Sequence, residues 1–80
     1  MSERARMLGE RVEIRQKRRR VAVNCSALQE RLRALVSPAI SAGDLDGDSI
    51  LETAAVLHAE LGALEILSAK LSALGRELGE

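Results

Sequence analysis

The densest chemistry in this chain is a run of six residues, Arg15-Gln16-Lys17-Arg18-Arg19-Arg20. Guanidinium and ammonium groups at this density can neutralise phosphates or the carboxylates of a protein partner. Six consecutive positions go right round a helix, so the run does not form one flat face. With Arg11 one turn upstream, the candidate contacts to an acidic partner or to phosphate are Arg11, Arg15, Lys17, Arg19 and Arg20. Arg18 is assigned to the helix seam described below. The plainer reading is a solvated, partly self-neutralised helix surface, with Glu13 and Lys17 forming a supporting i,i+4 pair.

A second stretch, Asp44-Leu45-Asp46-Gly47-Asp48, begins like a calcium-binding loop, with Asp at positions 1, 3 and 5. The remainder departs from that pattern. The sharp-turn position holds Ser49, and the bidentate clamp position holds Ala55. A helix start accounts for every residue better: Ser49-Ile50-Leu51-Glu52 has the form of a capping box, and three aspartates favour the positive end of a helix dipole. Cys25, the single cysteine, falls on an apolar helical line, where a thiol behaves as a small hydrophobe. His58, the single histidine, has no spaced Ser, Asp or Cys to form a catalytic set. No phosphate-binding glycine loop, nucleophile elbow or paired-carboxylate cleft is present. These residues therefore predict no catalytic role, no metal and no cofactor.

The elements that must position these groups are set by a seven-residue period. Ile50, Leu57, Leu64, Leu71 and Leu78 form one ladder, and Met7, Ile14, Val21, Leu28 and Leu35 form another. An unbroken heptad of apolar residues marks a helix face that meets another helix. The spacing predicts a first helix over about 2–36 capped by Ser2, a turn over 37–49, and a second helix over about 50–78. In the turn, Ser37-Pro38 suits one short helical turn with Ile40 closing the core, and Gly43 suits a left-handed stop. Folding the chain back pairs Leu35 with Ile50, Leu28 with Leu57, Val21 with Leu64, Ile14 with Leu71 and Met7 with Leu78. The layers between are then expected to be Leu32–Ala54, Cys25–Leu61, Arg18–Ser68 and Arg11–Gly75. In the last two, an arginine stem crosses a small residue to reach water.

Eighty residues make one domain, residues 1–80, and a hairpin of that size cannot enclose a core. With one cysteine and no Cys/His cluster, oligomerisation is the remaining source of stability. Helix two is apolar over more than one stripe, and Leu61, Leu67, Ala73 and Leu74 flank its ladder as the candidate dimer or partner interface. Net charge is zero, yet residues 1–36 carry ten Arg/Lys against four Glu, and residues 37–80 carry two against eight Asp/Glu. Antiparallel folding lays these unlike halves together, which is expected to help pairing and register.

The absence of aromatic residues argues against a base-stacking surface and against a membrane-interface belt. Glu52, Glu60, Glu65 and Lys70 exclude helix two as a membrane span. The first residues lack a secretory apolar segment, and Glu3, Glu10 and Glu13 do not suit a transit peptide. A lone thiol fits the cytoplasm.

The expected fold is all-α: two long antiparallel helices that dimerise into a four-helix bundle with coiled-coil packing. In layout this is similar to the Rop-type RNA-binding hairpin dimers and to small helical-hairpin secretion chaperones; no functional residue carries over from either. The leading functional expectation is a non-enzymatic, homo-oligomeric protein-interaction module, such as an adaptor, chaperone or small accessory subunit. Its partners are a second copy of itself or another helical protein. The alternative is a nucleic-acid-binding hairpin dimer using the basic stretch of the first helix.

Overall fold

The structure is a computed structural model that describes residues 2–79. Helix α1 runs over Glu3–Leu35 and helix α2 over Gly47–Glu77, joined by a connection containing a short 3-10 turn at Ala42–Asp44. The two long helices pack against each other as a hairpin, and no strand occurs among the described residues. The molecule measures 61 × 18 × 14 Å. Its radius of gyration is 18.0 Å, against about 12 Å for a compact domain of this length. No third layer covers either helix.

Each boundary has a local cause. Ser2 is the N-cap of α1: its side chain accepts a hydrogen bond from the Ala5 N–H at 3.1 Å. Arg6 reaches back to Glu3 and forward to Glu10 at 3.7 Å, tying the first turns together. Helix α1 ends ahead of Pro38, whose ring disfavours helical geometry in the preceding residue. Ser37 then makes the expected short turn. Its Oγ accepts from the Ala39 N–H at 3.2 Å, its carbonyl accepts from the Ile40 N–H at 3.0 Å, and Ile40 is half-buried. Gly43 is not left-handed; that conformation occurs at Gly79, with φ 80°, one residue past the Leu78 C-cap of α2.

The start of α2 differs from the capping box. Asp46 is the N-cap, three residues earlier than Ser49. Its Oδ1 accepts from the Ser49 N–H at 3.1 Å, and its Oδ2 accepts from the Ser49 hydroxyl at 2.7 Å. Ser49 is a donor to the cap, so the helix gains the Gly47-Asp48-Ser49 turn. A carboxylate gives each donor its own oxygen, and hydrogen bonds to an ionised acceptor are stronger than those to a hydroxyl. Both carboxylate oxygens of the central aspartate of the calcium-like stretch are thus engaged by Ser49.

Across the hairpin, three arginines of α1 reach α2. Arg4 Nη1 donates to the Leu78 carbonyl at 3.4 Å, Arg18 Nε to Ser68 Oγ at 2.9 Å, and Arg31 Nε to Thr53 Oγ1 at 3.4 Å. These three contacts, spread over the length of the hairpin, agree with the register in which the ladder rungs face each other. The Arg18–Ser68 hydrogen bond bears out that expected layer, while the burial pattern adds a more deeply buried line on α2. Thr53 and Leu67 are buried and Leu74 is half-buried, whereas Leu61 is 48% exposed. The more deeply buried line of α2 therefore lies three residues after each rung, at Thr53, Glu60, Leu67 and Leu74, with the half-buried Ala54, Ser68 and Gly75 beside it. On α1 it lies four after each rung, at Arg11, Arg18, Cys25 and Leu32. Heptad seams alternate steps of three and four, and antiparallel pairing reverses their order on the second helix. The register now sets Arg11 level with Leu74, Arg18 with Leu67, Cys25 with Glu60, and Leu32 with Thr53. Leu61, half exposed, is not the buried partner that the expected Cys25–Leu61 layer required.

Two predictions follow from this packing. Leu67, only 6% exposed, is a core residue, and Leu67→Ala should cost about 2–5 kcal/mol in chemical denaturation. Leu51, at 71% exposed, should change stability by less than about 0.5 kcal/mol when replaced by Ala. The Ser49 hydrogen bonds, side chain first and backbone second, hold the Asp46 carboxyl below its ordinary value of 3.8. A depressed carboxylate contributes stability that is present above its ordinary value and lost as pH falls through the folded value. Thermal melts from pH 7 to pH 2.5 should therefore show a steeper acid decline for the parent than for Asp46→Asn. Identical acid limbs would mean that the cap is not formed in solution.

Candidate partner-binding surface

Most helical residues off the seam are exposed, and on α2 many of them are apolar. Leu51, Val56, Leu61 and Ile66 are exposed at 71%, 46%, 48% and 58%. Helix α1 adds the exposed Leu8, Val12 and Val23. Only Met7, Cys25, Thr53, Leu67 and Leu78 are buried among the described residues, and no side chain is completely enclosed. The cause is geometric: a helix with one neighbour covers one stripe, while α2 is apolar over more than one.

The four expected interface residues separate. Leu67 is removed from the outer surface by α1 within the single hairpin, and Leu74 is half-buried beside it. The expectation that both lack cover inside one hairpin is corrected by the seam shift described above. Leu61 and Ala73 remain exposed, on different sides of the helix. Val56 and Ile66, which were not among the expected interface residues, are the large side chains that the fold leaves in water on the Ala73 side. A shallow groove lined by Asn24, Ala27, Leu28, Val56 and Glu60 runs along the same side between the helices.

Charge is distributed less reciprocally than the unlike halves suggested. Arg15, Lys17, Arg19 and Arg20 are exposed, and none has a carboxylate within 4.0 Å among the described residues. The expected Glu13–Lys17 pair is not closed, and among the described residues no ion pair joins these side chains to α2. Arg11 is half-buried at the seam and is held by its own interactions, so it is not equivalent to the other four. Gln16, Arg19, Arg20, Val23 and Asn24 line a shallow depression on the outer side of α1. Its floor is apolar and its rim cationic.

Cys25 is a buried free thiol, 8% exposed, on the seam line of α1. His58 is exposed on α2. Among the described residues, no group of three or more His, Cys, Asp or Glu is arranged to hold a metal ion, and no helix is long and apolar enough to cross a membrane. The geometry thus offers surfaces rather than a cleft. The burial of Cys25 has a direct test: a thiol-specific chromogenic disulfide should label it far more slowly in buffer than in denaturant. Equal rates would place the thiol outside the seam.

No family model, curated protein or solved structure matches this chain.

Proposed function

We propose that the chain is a non-enzymatic protein-interaction module: a hairpin that associates with a second copy of itself, in the cytoplasm, and serves as an adaptor, chaperone or small accessory subunit. One observation carries this reading. The hairpin exposes 5987 Å², whereas a compact monomer of 8.6 kDa exposes about 4,700 Å². The excess of about 1,300 Å² exceeds the roughly 800 Å² that each partner of a standard interface contributes. Much of what is exposed on α2 is Leu, Val, Ile and Ala, which gains most from cover. Stacking two hairpins into a four-helix bundle with coiled-coil packing supplies that cover without altering either helix. The lone, buried thiol is compatible with a reducing compartment.

A second reading is favoured by a separate observation, four exposed cations, Arg15, Lys17, Arg19 and Arg20, that have no ion pair among the described residues. Side chains that are not neutralised within the fold are free to meet phosphate, and such contact needs no aromatic residues. Self-association would double the patch.

Sedimentation equilibrium at micromolar concentration is expected to give twice the chain mass, and a cooperatively folded monomer would overturn the leading reading. To separate the two readings, Arg15, Lys17, Arg19 and Arg20 are replaced together by Gln, which keeps helix propensity nearly constant. The expected outcome is an unchanged oligomer, with negligible RNA or DNA binding by parent and variant alike near physiological salt. Tight, steeply salt-dependent parent binding that the four glutamines abolish would reverse the ranking.

A further inference from the structure

From the layout of α2 we infer that its second apolar stripe is an antiparallel contact with α2 of a second copy, with the twofold axis crossing the helix at the level of residue 61. This deepens the self-association reading and rests on it.

The stripe consists of Glu52, Val56, Ala59, Ala63, Ile66, Lys70 and Ala73, spaced alternately by four and three residues. That spacing keeps all seven on one side of the helix, about a quarter turn from the seam that faces α1. A quarter turn is the offset at which a helix in a four-helix bundle meets its second neighbour. All of these residues are exposed except Ala63, which is half-buried.

The order of the residues is self-complementary under reversal. A twofold axis at residue 61 places Ala59 opposite Ala63 of the second copy, Val56 opposite Ile66, and Glu52 opposite Lys70. Each pairing occurs twice. The small pair sits nearest the axis, where two helices approach most closely, at about 8–10 Å between axes. The branched pair sits outside it and fills the widening gap. The charged pair closes both ends, an apolar centre with a polar rim being the usual composition of a stable interface.

The charges also select the direction. Lys70 and Arg76 are the only cations in residues 37–80, and Lys70 is the one that falls on this stripe. Among the described residues of the hairpin, neither Glu52 nor Lys70 has an opposite charge within 4.0 Å. A parallel pairing would set Glu52 against Glu52 and Lys70 against Lys70, like charge on like. Antiparallel pairing supplies each with its opposite. The contact is isologous, so it closes at two copies and leaves no open edge to recruit a third.

A charge-swap series read by sedimentation equilibrium tests the contact. Glu52→Lys and Lys70→Glu, each alone, should raise the dimer dissociation constant roughly tenfold, because each replaces two attractive pairs with two repulsive ones. The combined Glu52→Lys/Lys70→Glu variant should return to within about twofold of the parent, since the pairs re-form in reverse. Recovery by the double variant separates a lost contact from a hairpin that fails to fold. Ile66→Glu, at an exposed position, should weaken the dimer further. A parent dimer indifferent to all four variants would overturn this contact and leave the self-association reading standing. A parent that is monomeric throughout would overturn both.

Discussion

Each helix of this hairpin has a single neighbour, and the remaining features follow from that constraint. Two helices of 33 and 31 residues can shield only the stripe along which they touch. The core is accordingly one residue deep. It consists of the facing ladders and the line beside them, and most of its members are half-buried rather than enclosed. Because the buried area is small, the caps and cross-seam hydrogen bonds carry more of the structural definition than they would in a larger domain. The same constraint leaves the rest of the apolar surface of α2 in water, and this links the fold to the self-association reading.

The arginines of α1 fall into two groups by what they touch. Arg4, Arg18 and Arg31 lie across the seam and donate to a carbonyl, a serine and a threonine of α2. Arg4 also sets a cation at the negative end of the α2 dipole, where it is favourable. In a thin core a long aliphatic stem is useful cover. Arg18, level with the buried Leu67, shields apolar surface while its head stays in water. Arg15, Lys17, Arg19 and Arg20 have no such task. The basic run is therefore not a uniform patch, because one of its members is committed to holding the hairpin together.

On α2 the acidic residues are likewise divided. Asp46 organises the first turn with Ser49, whereas Glu52 is exposed with no cation within 4.0 Å among the described residues. A helix start rich in aspartate and serine invites a metal-site interpretation, but a side chain already accepting two hydrogen bonds from its own turn has a structural task. Further along the same helix, Lys70 has no ion-pair partner among the described residues. Unpaired charges at the two ends of an apolar stripe have a different meaning from charges scattered over a solvated face, and that difference gives the stripe a direction.

The sequence by itself determined that there are two helices, where they run and which rungs face one another. The heptad period needs no tertiary information, and Ser2 and Ser37-Pro38 act through the backbone atoms beside them. Three matters were decided only by the tertiary structure. Whether Leu61 or Leu67 joins the seam depends on the rotation of α2 about its axis, and two leucines on either side of a rung are equal in hydrophobicity. The capping box pointed to Ser49, yet Asp46 also offers oxygen acceptors within the same turn, and its carboxylate caps the helix by accepting both from the Ser49 N–H and from the Ser49 hydroxyl. The pairing of the charged halves was also open. Net charge sets a long-range attraction, whereas an ion pair needs two side-chain ends to meet, and the arginines that cross the seam meet hydroxyls and a carbonyl instead.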